Sequence, residues 1–127
     1  MAEIPLNPRY KEAVAKVVNQ SPYFPLLSME IKSLGWGTSL LEIPLAEKHL
    51  QPFGFVHGGV IASIVDEATF WAVFPQVENE MGLTTVEIKV NYLAPAKEGK
   101  LVAEGRCVKK GKTLALGEAY IRNGEGN

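Results

Sequence analysis

The sequence predicts an α+β fold in which an antiparallel β-sheet curls around one long central helix, with a short N-terminal helix before it. The first observation behind this prediction is the run 59–77, where apolar residues at helical spacing form wide faces typical of a largely buried helix. The second is that strand-like segments both precede and follow this run. Because the sheet is the only element that could cover such a helix, it must wrap around it.

The elements predicted before the long helix are one helix and two strands. Residues 8–19, "PRYKEAVAKVVN", carry apolar side chains at helical spacing, and Pro8 suits the first turn of a helix. Residues 26–45 predict two strands around a glycine-containing turn at 35–37. Residues 46–56 then predict a loop that leads into the long helix.

Three strands are predicted after the long helix. Residues 84–96, "TTVEIKVNYLAPA", alternate apolar and polar side chains, as a half-buried strand does. Residues 100–113 and 114–126 predict two more strands joined by the Lys-Gly-Lys turn at 110–112. The sequence closes on a turn signal, "NGEGN", where a further strand is expected, so we predict a single domain over 1–127 that lacks a final strand.

Composition narrows the class of protein. A length of 127 residues with 46% hydrophobic and 21% charged residues is typical of one globular domain. A net charge of −1 gives no reason to expect nucleic acid or an anionic membrane as a partner. Cys107, the only cysteine, has no partner for an internal disulfide. No signal peptide or membrane span is visible, so we expect a cytoplasmic protein.

The stretch 53–73, "FGFVHGGVIASIVDEATFWAV", carries the clearest functional signal. Gly58 and Gly59 begin a helix, so their backbone N–H groups have no partner within it, and a ligand can approach them closely. Such N–H groups could stabilise the oxyanion of a reacting carbonyl. Close packing of the loop on the helix explains the two glycines equally well. His57 is expected to hold this turn by hydrogen bonds to the backbone.

Asp66 lies in the apolar part of the same helix, where a carboxylate needs a partner or a function. It shares a helix face with Gly59 and Ser63 and lies two turns, about 10 Å, beyond Gly59. One thioester carbonyl cannot be close to both Gly59 and Asp66 of the same helix. We therefore predict a site shared between the two subunits of a two-fold dimer. Exposure of Asp66, or its pairing with a lysine, is the alternative. Glu67 is expected to face solvent or to form a salt bridge.

The motif "HGGVIASIVDEA" resembles that of hotdog-fold acyl-CoA thioesterases, in the PaaI-like (phenylacetyl-CoA thioesterase) branch of the 4HBT superfamily. The resemblance extends over about residues 25–122, through "HLQPFGFVHGG", the later strands and "KKGKT". It implies that Asp66 is the catalytic carboxylate, as nucleophile or general base. It further implies that Gly59, with Gly58, polarises the thioester carbonyl, and that Gln51 positions water or the carbonyl. Thr85 is implied to lie near the catalytic carboxylate across the dimer.

The predicted substrate-binding residues fall into two groups. The first surrounds the motif and could line an acyl pocket, although core packing explains each aromatic member equally well; it comprises Phe53, Phe55, Ser63, Phe70 and Trp71. The second lies in the strand turn and could contact the phosphates of coenzyme A, with a solvated hairpin tip as the alternative; it comprises Lys109, Lys110 and Lys112. His57 is counted with the predicted catalytic residues, which are otherwise Asp66, Gly58, Gly59, Gln51 and Thr85. The ligand spacing of a metal site is absent, and the resemblance implies no metal or cofactor.

The predicted function is therefore hydrolysis of acyl-CoA thioesters to free acid and CoA, by a homodimer assembled into a homotetramer. An acyl-CoA hydratase or dehydratase is one alternative, but the extended His-Phe-Pro-Gly-type segment of those enzymes is absent. A non-catalytic acyl-CoA-binding protein is another, but the chain has no spare length or basic helix for a DNA-binding segment. The acyl group is left open by the sequence.

Overall fold

The computed structural model describes residues 6–77 and 82–124 of the chain. The helices and strands, in chain order, are α1 (Pro8–Asn19), α2 (Tyr23–Leu27), β1 (Glu30–Gly35), β2 (Thr38–Pro44), α3 (Gly58–Val73), β3 (Lys100–Lys110) and β4 (Ala115–Asn123). Short 3-10 turns lie at Glu47–His49 and Phe74–Gln76. Over these residues the architecture is a four-stranded sheet with one long helix packed on it, so the predicted α+β class and central helix are confirmed.

The sheet is antiparallel throughout, in the order β1-β2-β3-β4. Leu41 of β2 pairs with Ile31 of β1 and with Ala103 of β3, and all three side chains are buried. This register places the apolar positions of neighbouring strands on the same face, where α3 covers them. The β3–β4 hairpin forms as predicted, although its turn spans 111–114 and is closed by the Gly111 N–H, which donates to the carbonyl of Leu114.

Helix α3 buries one stripe against the sheet. Val60, Ile64, Ala68 and Ala72 recur every four residues and are buried. Gly105 of β3 lets the helix come close, because a Cβ atom there would lie 2.4 Å from the carbonyl oxygen of Ala68. The other faces of α3 are half-buried, so the predicted burial on nearly all sides is wrong within one chain. The physical reason is that the described sheet covers only one side of the helix.

The N-terminal helices close one end of the fold. Helix α1 begins at Pro8, as predicted, and the side chain of Asn7 caps it by accepting the N–H of Arg9. Asn19 joins α1 to β1, since its side chain accepts the N–H of Ile31 at 2.7 Å. Helix α2 was not predicted, because five residues are too few to show a helical period.

The predicted strand over 84–96 is wrong. This segment takes part in no β-ladder with any described residue. Three of its four predicted inner side chains are exposed, namely Val86 at 79%, Ile88 and Tyr92, and Val90 is half-buried. Alternation makes a strand only where another strand supplies hydrogen bonds and another layer covers the apolar face. Neither is provided to 84–96 by the described residues. The closing turn signal starts at Asn123, and its residues 125–127 lie outside the described ranges.

Candidate active site

A cleft of about 450 Å³ lies between the N-terminal helices and the exposed side of α3. Its walls are apolar and aromatic apart from two carboxylates and a few hydroxyl groups. The lining residues are Val17, Val18, Ser21, Tyr23, Phe24, Asp66, Glu67, Phe70, Trp71, Leu83, Thr84 and Thr85. The cleft therefore brings together three of the residues predicted from the motif with Thr85, which is far from them in the chain.

Asp66 lies half-buried in this cleft, in the middle of α3. The hydroxyl of Thr85 donates a hydrogen bond to its Oδ1 at 2.6 Å. The predicted neighbourhood of these two residues is thus present, but within one chain, where the resemblance had implied a contact across a dimer. The reason is that residues 85–92 run back along α3, with Thr85 at Asp66 and Tyr92 at Gly58. The alternative of a lysine partner for Asp66 has no support among the described residues.

Glu67 also lines the cleft, and its placement corrects the expectation that it faces solvent or forms a salt bridge. The side chain is half-buried, and its Oε2 accepts the indole N–H of Trp71 at 3.0 Å. Burial raises the pKa of the Glu67 carboxyl, and the neighbouring charge of Asp66 adds to the rise, while the bond from Trp71 opposes it. The spacing of four residues between Glu67 and Trp71 was a signal for this pair.

The aromatic side chains near the motif separate into two groups. Phe70 and Trp71 line the cleft, with ring centroids 4.9 Å apart and edge-to-face geometry, and Phe74 packs 4.9 Å from Trp71. Phe53 and Phe55 do not line it. Phe53 is 83% exposed, and the ring of Phe55 lies under the ammonium group of Lys97, 4.8 Å from its centroid. Of the aromatic residues predicted to line an acyl pocket, only Phe70 and Trp71 therefore line this cleft.

The N-terminus of α3 is capped by His57. Its Nδ1 accepts the N–H of Gly59 at 2.8 Å, so the expected role of His57 in holding the turn is seen directly. Within the described part of the chain, the N–H of Gly58 donates no hydrogen bond. Tyr92 packs its ring over Gly58, where a Cβ atom would lie 3.3 Å away, and its hydroxyl donates to the Gly58 carbonyl. Close packing and an available N–H therefore coexist at Gly58.

Other predicted site residues lie apart from Asp66. The side chain of Gln51 accepts the N–H of Phe53 inside its own loop. The three lysines assigned to coenzyme A are exposed around the β3–β4 turn and do not line the cleft; they are Lys109, Lys110 and Lys112.

Ser63 is linked to a residue that sequence reasoning missed. The Ser63 hydroxyl donates to the carbonyl of Gly59 at 2.8 Å, so the hydroxyl of Tyr23 donates to Ser63 at 2.6 Å. Tyr23 belongs to α2 and lines the cleft beside Asp66. No local pattern signals a contact between residues 40 positions apart, which is why only the fold reveals it.

Two negative findings concern the described residues. In the ranges 6–77 and 82–124, no three His, Cys, Asp or Glu side chains are grouped closely enough to hold a metal ion. Over the same residues, no helix combines the length and the apolar character needed to cross a bilayer.

Comparison with known proteins identifies the family. The model of the thioesterase superfamily matches residues 53–127, which include all of α3 and the sheet strands that follow it. A protein of Saccharolobus solfataricus, provisionally named an esterase, is 33% identical over 114 residues, or 90% of this chain and 75% of its own length. Acyl-coenzyme A thioesterase 13 of Homo sapiens is 31% identical over 88 residues, covering 68% of this chain and 62% of that protein.

Solved structures agree with this assignment. A thioesterase of Haemophilus influenzae superposes with a TM-score of 0.83 at 23% identity, covering 91% of this chain and 80% of its own. Zebra fish thioesterase superfamily member 2 gives a TM-score of 0.78 at 25% identity, over 96% of this chain and 88% of its own. The chain belongs to the thioesterase superfamily and is a thioester hydrolase with the hotdog fold.

Proposed function

We propose that this chain hydrolyses acyl-CoA thioesters to a free acid and CoA, with Asp66 as the catalytic carboxylate. The observation that carries the proposal is the place of Asp66, half-buried in a largely apolar cleft of about 450 Å³ and hydrogen-bonded by Thr85. A cleft of this size is in the range of small-ligand sites. The likeness to a human acyl-coenzyme A thioesterase supports CoA as the thiol.

Two routes from Asp66 to product are chemically complete. As general base, Asp66 takes a proton from water while the water oxygen bonds to the thioester carbon. The tetrahedral oxyanion then collapses, the C–S bond breaks, and the thiolate takes the proton from Asp66. As nucleophile, the carboxylate attacks the carbon itself, expels the thiolate and forms an anhydride. Water then opens the anhydride to the free acid and the Asp66 carboxylate, and the proton that this step releases passes to the thiolate. In both routes Thr85 orients the carboxylate through its hydrogen bond.

The oxyanion in this proposal is bound by a backbone N–H at the N-terminus of α3, as the glycine motif predicts. The N–H of Gly58 is the readier donor, because the N–H of Gly59 is bonded to His57 and must leave it to reach a substrate. Gly58 and Asp66 are eight residues, about 12 Å, apart on one helix. We therefore propose that the donor comes from a second subunit of a homodimer, which we expect to assemble further into a homotetramer.

Further parts of the proposal rest on the resemblance. We place the chain in the PaaI-like branch, with the lysines of the β3–β4 turn available to the phosphates of CoA as point charges. They are exposed, as this role requires. We also propose that the protein acts in the cytoplasm without a metal or cofactor.

Replacement of Asp66 tests the proposal. The Asp66→Asn protein should fold and lose on the order of 10²-fold or more in kcat, because the amide can neither accept the proton nor attack. Release of free CoA thiol from a panel of acyl-CoA substrates measures this. Glu104→Gln, which changes an exposed carboxylate of β3 in the same way, is the matched control and should retain turnover. An Asp66→Asn protein with near-normal turnover would refute the role of Asp66.

Isotope labelling tests whether Asp66 is the nucleophile of an anhydride that water opens at the Asp66 carboxyl carbon. A single turnover in [¹⁸O]water places labelled oxygen in the acid if water attacks the thioester. It leaves the first product unlabelled if Asp66 attacks and water then opens the anhydride at the Asp66 carboxyl carbon. Mass spectrometry of the acid from the first turnover distinguishes these outcomes.

A further inference from the structure

Glu67 is a second carboxylate in the cleft, and hydrolysis by Asp66 does not use it. Its Oε2 is fixed by the indole N–H of Trp71, one helical turn away. The indole ring is in turn held by Phe70 and Phe74, each with a ring centroid 4.9 Å from that of Trp71. The carboxylate of Glu67 therefore has a fixed position beside an aromatic wall of the cleft.

The hydrogen bond to Trp71 does not require a charge at Glu67. A neutral amide oxygen also accepts an indole N–H, and it has a smaller desolvation penalty. Burial raises the pKa of Glu67, which shows that the surroundings disfavour the charged form. A carboxyl group in place of an amide at this position, beside a second carboxylate in the cleft, points to a role in what the cleft binds.

The described residues of this chain place no positive charge beside the two carboxylates of the cleft. Among the described residues that line it, Asp66 and Glu67 are charged, and none is a lysine, arginine or histidine. The remaining walls are apolar or hydroxylic, with Phe24 and Phe70 among them. An anionic group that entered would lose its water, meet two like charges and find no partner.

We propose that Glu67 is a specificity-determining residue that restricts this cleft to acyl groups without a negative charge and rejects acyl chains that end in a carboxylate. This inference rests on the proposed function, since it takes the cleft beside Asp66 as the acyl pocket. Uncharged acyl groups, alkyl or aryl, fit the apolar walls, whereas a dicarboxylic acyl group is repelled. Repulsion by an unpaired buried charge is a common way to exclude a competing ligand.

A pair of substrates of equal chain length tests the proposal. Hexanoyl-CoA and adipoyl-CoA both carry six-carbon acyl groups, and only the second ends in a carboxylate. We expect the wild-type ratio of kcat/KM to favour hexanoyl-CoA, and we expect Glu67→Gln to narrow that ratio by roughly tenfold, as loss of one repulsive charge at close range would do. Glu104→Gln removes an exposed carboxylate outside the cleft and should leave the ratio unchanged.

A second variant approaches the same question without touching Glu67. Thr84 lines the cleft and is exposed, so Thr84→Lys adds a cation at its rim. This change should also shift the ratio toward adipoyl-CoA. A ratio that neither Glu67→Gln nor Thr84→Lys alters, in folded proteins, overturns the proposal.

Binding measurements keep the proposal separate from the proposed function. Non-hydrolysable thioethers, hexyl-CoA and 5-carboxypentyl-CoA, can be titrated calorimetrically into wild-type and Glu67→Gln protein. A preference for hexyl-CoA that narrows in the variant supports the inference. It does so even if wild-type protein hydrolyses neither thioester, because a lack of hydrolysis would count only against the hydrolytic function. Equal affinity of wild-type protein for both thioethers, or binding of neither, overturns the inference.

Discussion

At the scale of single residues, His49 is the most deeply buried polar side chain among the described residues. It has no exposed surface, and both ring nitrogens have partners. Its Nδ1 accepts the N–H of Ala46 at 2.9 Å, so Nε2 carries the proton and donates to the carbonyl of Leu27 at 2.7 Å. His49 thereby ties helix α2 to the loop that leads into α3, which is a structural role and not a catalytic one.

Replacement of His49 by alanine should destabilise the protein by about 2–4 kcal/mol, since it opens a cavity in place of a fully buried ring and removes the partner of two part-buried groups, the Ala46 N–H and the Leu27 carbonyl. Chemical denaturation measures the free energy of unfolding. His57→Ala is the comparison, because His57 is exposed and its loss should cost only about 1 kcal/mol, as for a helix cap. A larger loss of unfolding free energy in His57→Ala than in His49→Ala would contradict the structural role of His49.

Glu67 makes the stability of the protein depend on pH. Its pKa is raised above the ordinary value of 4.5, with burial as the largest cause, so the folded protein binds this proton more tightly than the unfolded chain. Below that ordinary value the carboxyl is neutral in both states. As the pH rises through the folded-state pKa, the stability gained from the neutral form is lost.

The Glu67→Gln protein should therefore become more stable relative to wild type as the pH rises from about 4 to about 7, because glutamine stays neutral throughout. Thermal unfolding of both proteins across this range gives the difference. Glu104→Gln is the control, because it measures how much an exposed carboxylate contributes to the pH dependence of stability. A difference that is constant with pH, or that shrinks as the pH rises, would be inconsistent with the raised pKa.

At the scale of elements, the fit of α3 on the sheet depends on two glycines. Gly105 of β3 faces the Ala68 carbonyl, which also accepts the hydroxyl of Ser39 at 2.6 Å. Gly117 of β4 faces Thr69, whose Cβ would lie 3.0 Å from an added methyl group. The absence of side chains at these two positions lets the backbone of the helix approach the strands closely.

Gly105→Ala should destabilise the protein by about 1–3 kcal/mol, because the new methyl group would press on the backbone of α3, which cannot yield as a flexible side chain would. Denaturant titration measures the effect. Gly82→Ala is the matched control, since a Cβ at Gly82 would meet no atom of the described residues within 4 Å. If both variants have the stability of wild type, the close contact between α3 and β3 is not what fixes the helix.

At the scale of the whole molecule, the single chain leaves large apolar side chains exposed. Val86 and Leu93 are 79% and 91% exposed, and Leu116 and Tyr120 of β4 are also exposed. Exposed apolar surface of this kind often marks a contact with another protein chain. It supports the proposed homodimer, in which the N-terminus of one α3 lies beside Asp66 of the other.

Subunit exchange tests that arrangement. A Gly58→Val variant, whose added side chain should block the backbone donor, and the Asp66→Asn variant should each have little activity alone. When mixed, they should regain roughly a quarter of wild-type activity, because about half of random dimers are mixed and each mixed dimer has one intact site. CoA release measures the recovery, and native mass spectrometry verifies that subunits have exchanged. No recovery after verified exchange would exclude a site shared between chains.

The sequence by itself determined the class of fold, the long helix and the family. These follow from local patterns, namely helical spacing in α3, alternation in the β3–β4 hairpin and the order of residues in the motif around Gly59 and Asp66. The structure agrees with these patterns because the spacing of apolar residues within an element determines which of its faces is buried. The pairing of Asp66 with Thr85 could be foreseen only from the resemblance.

Tertiary structure alone decided which residues share the cleft. Tyr23 contacts Ser63 across 40 positions, which no sequence pattern predicts. Glu67 turns inward to Trp71 and Phe53 is exposed, whereas the sequence predicted the opposite for each. The segment 84–96 has the alternation of a strand but no neighbour among the described residues. The reason is common to all four cases, since burial and pairing depend on what other parts of the chain place alongside a residue, and local sequence does not contain that information.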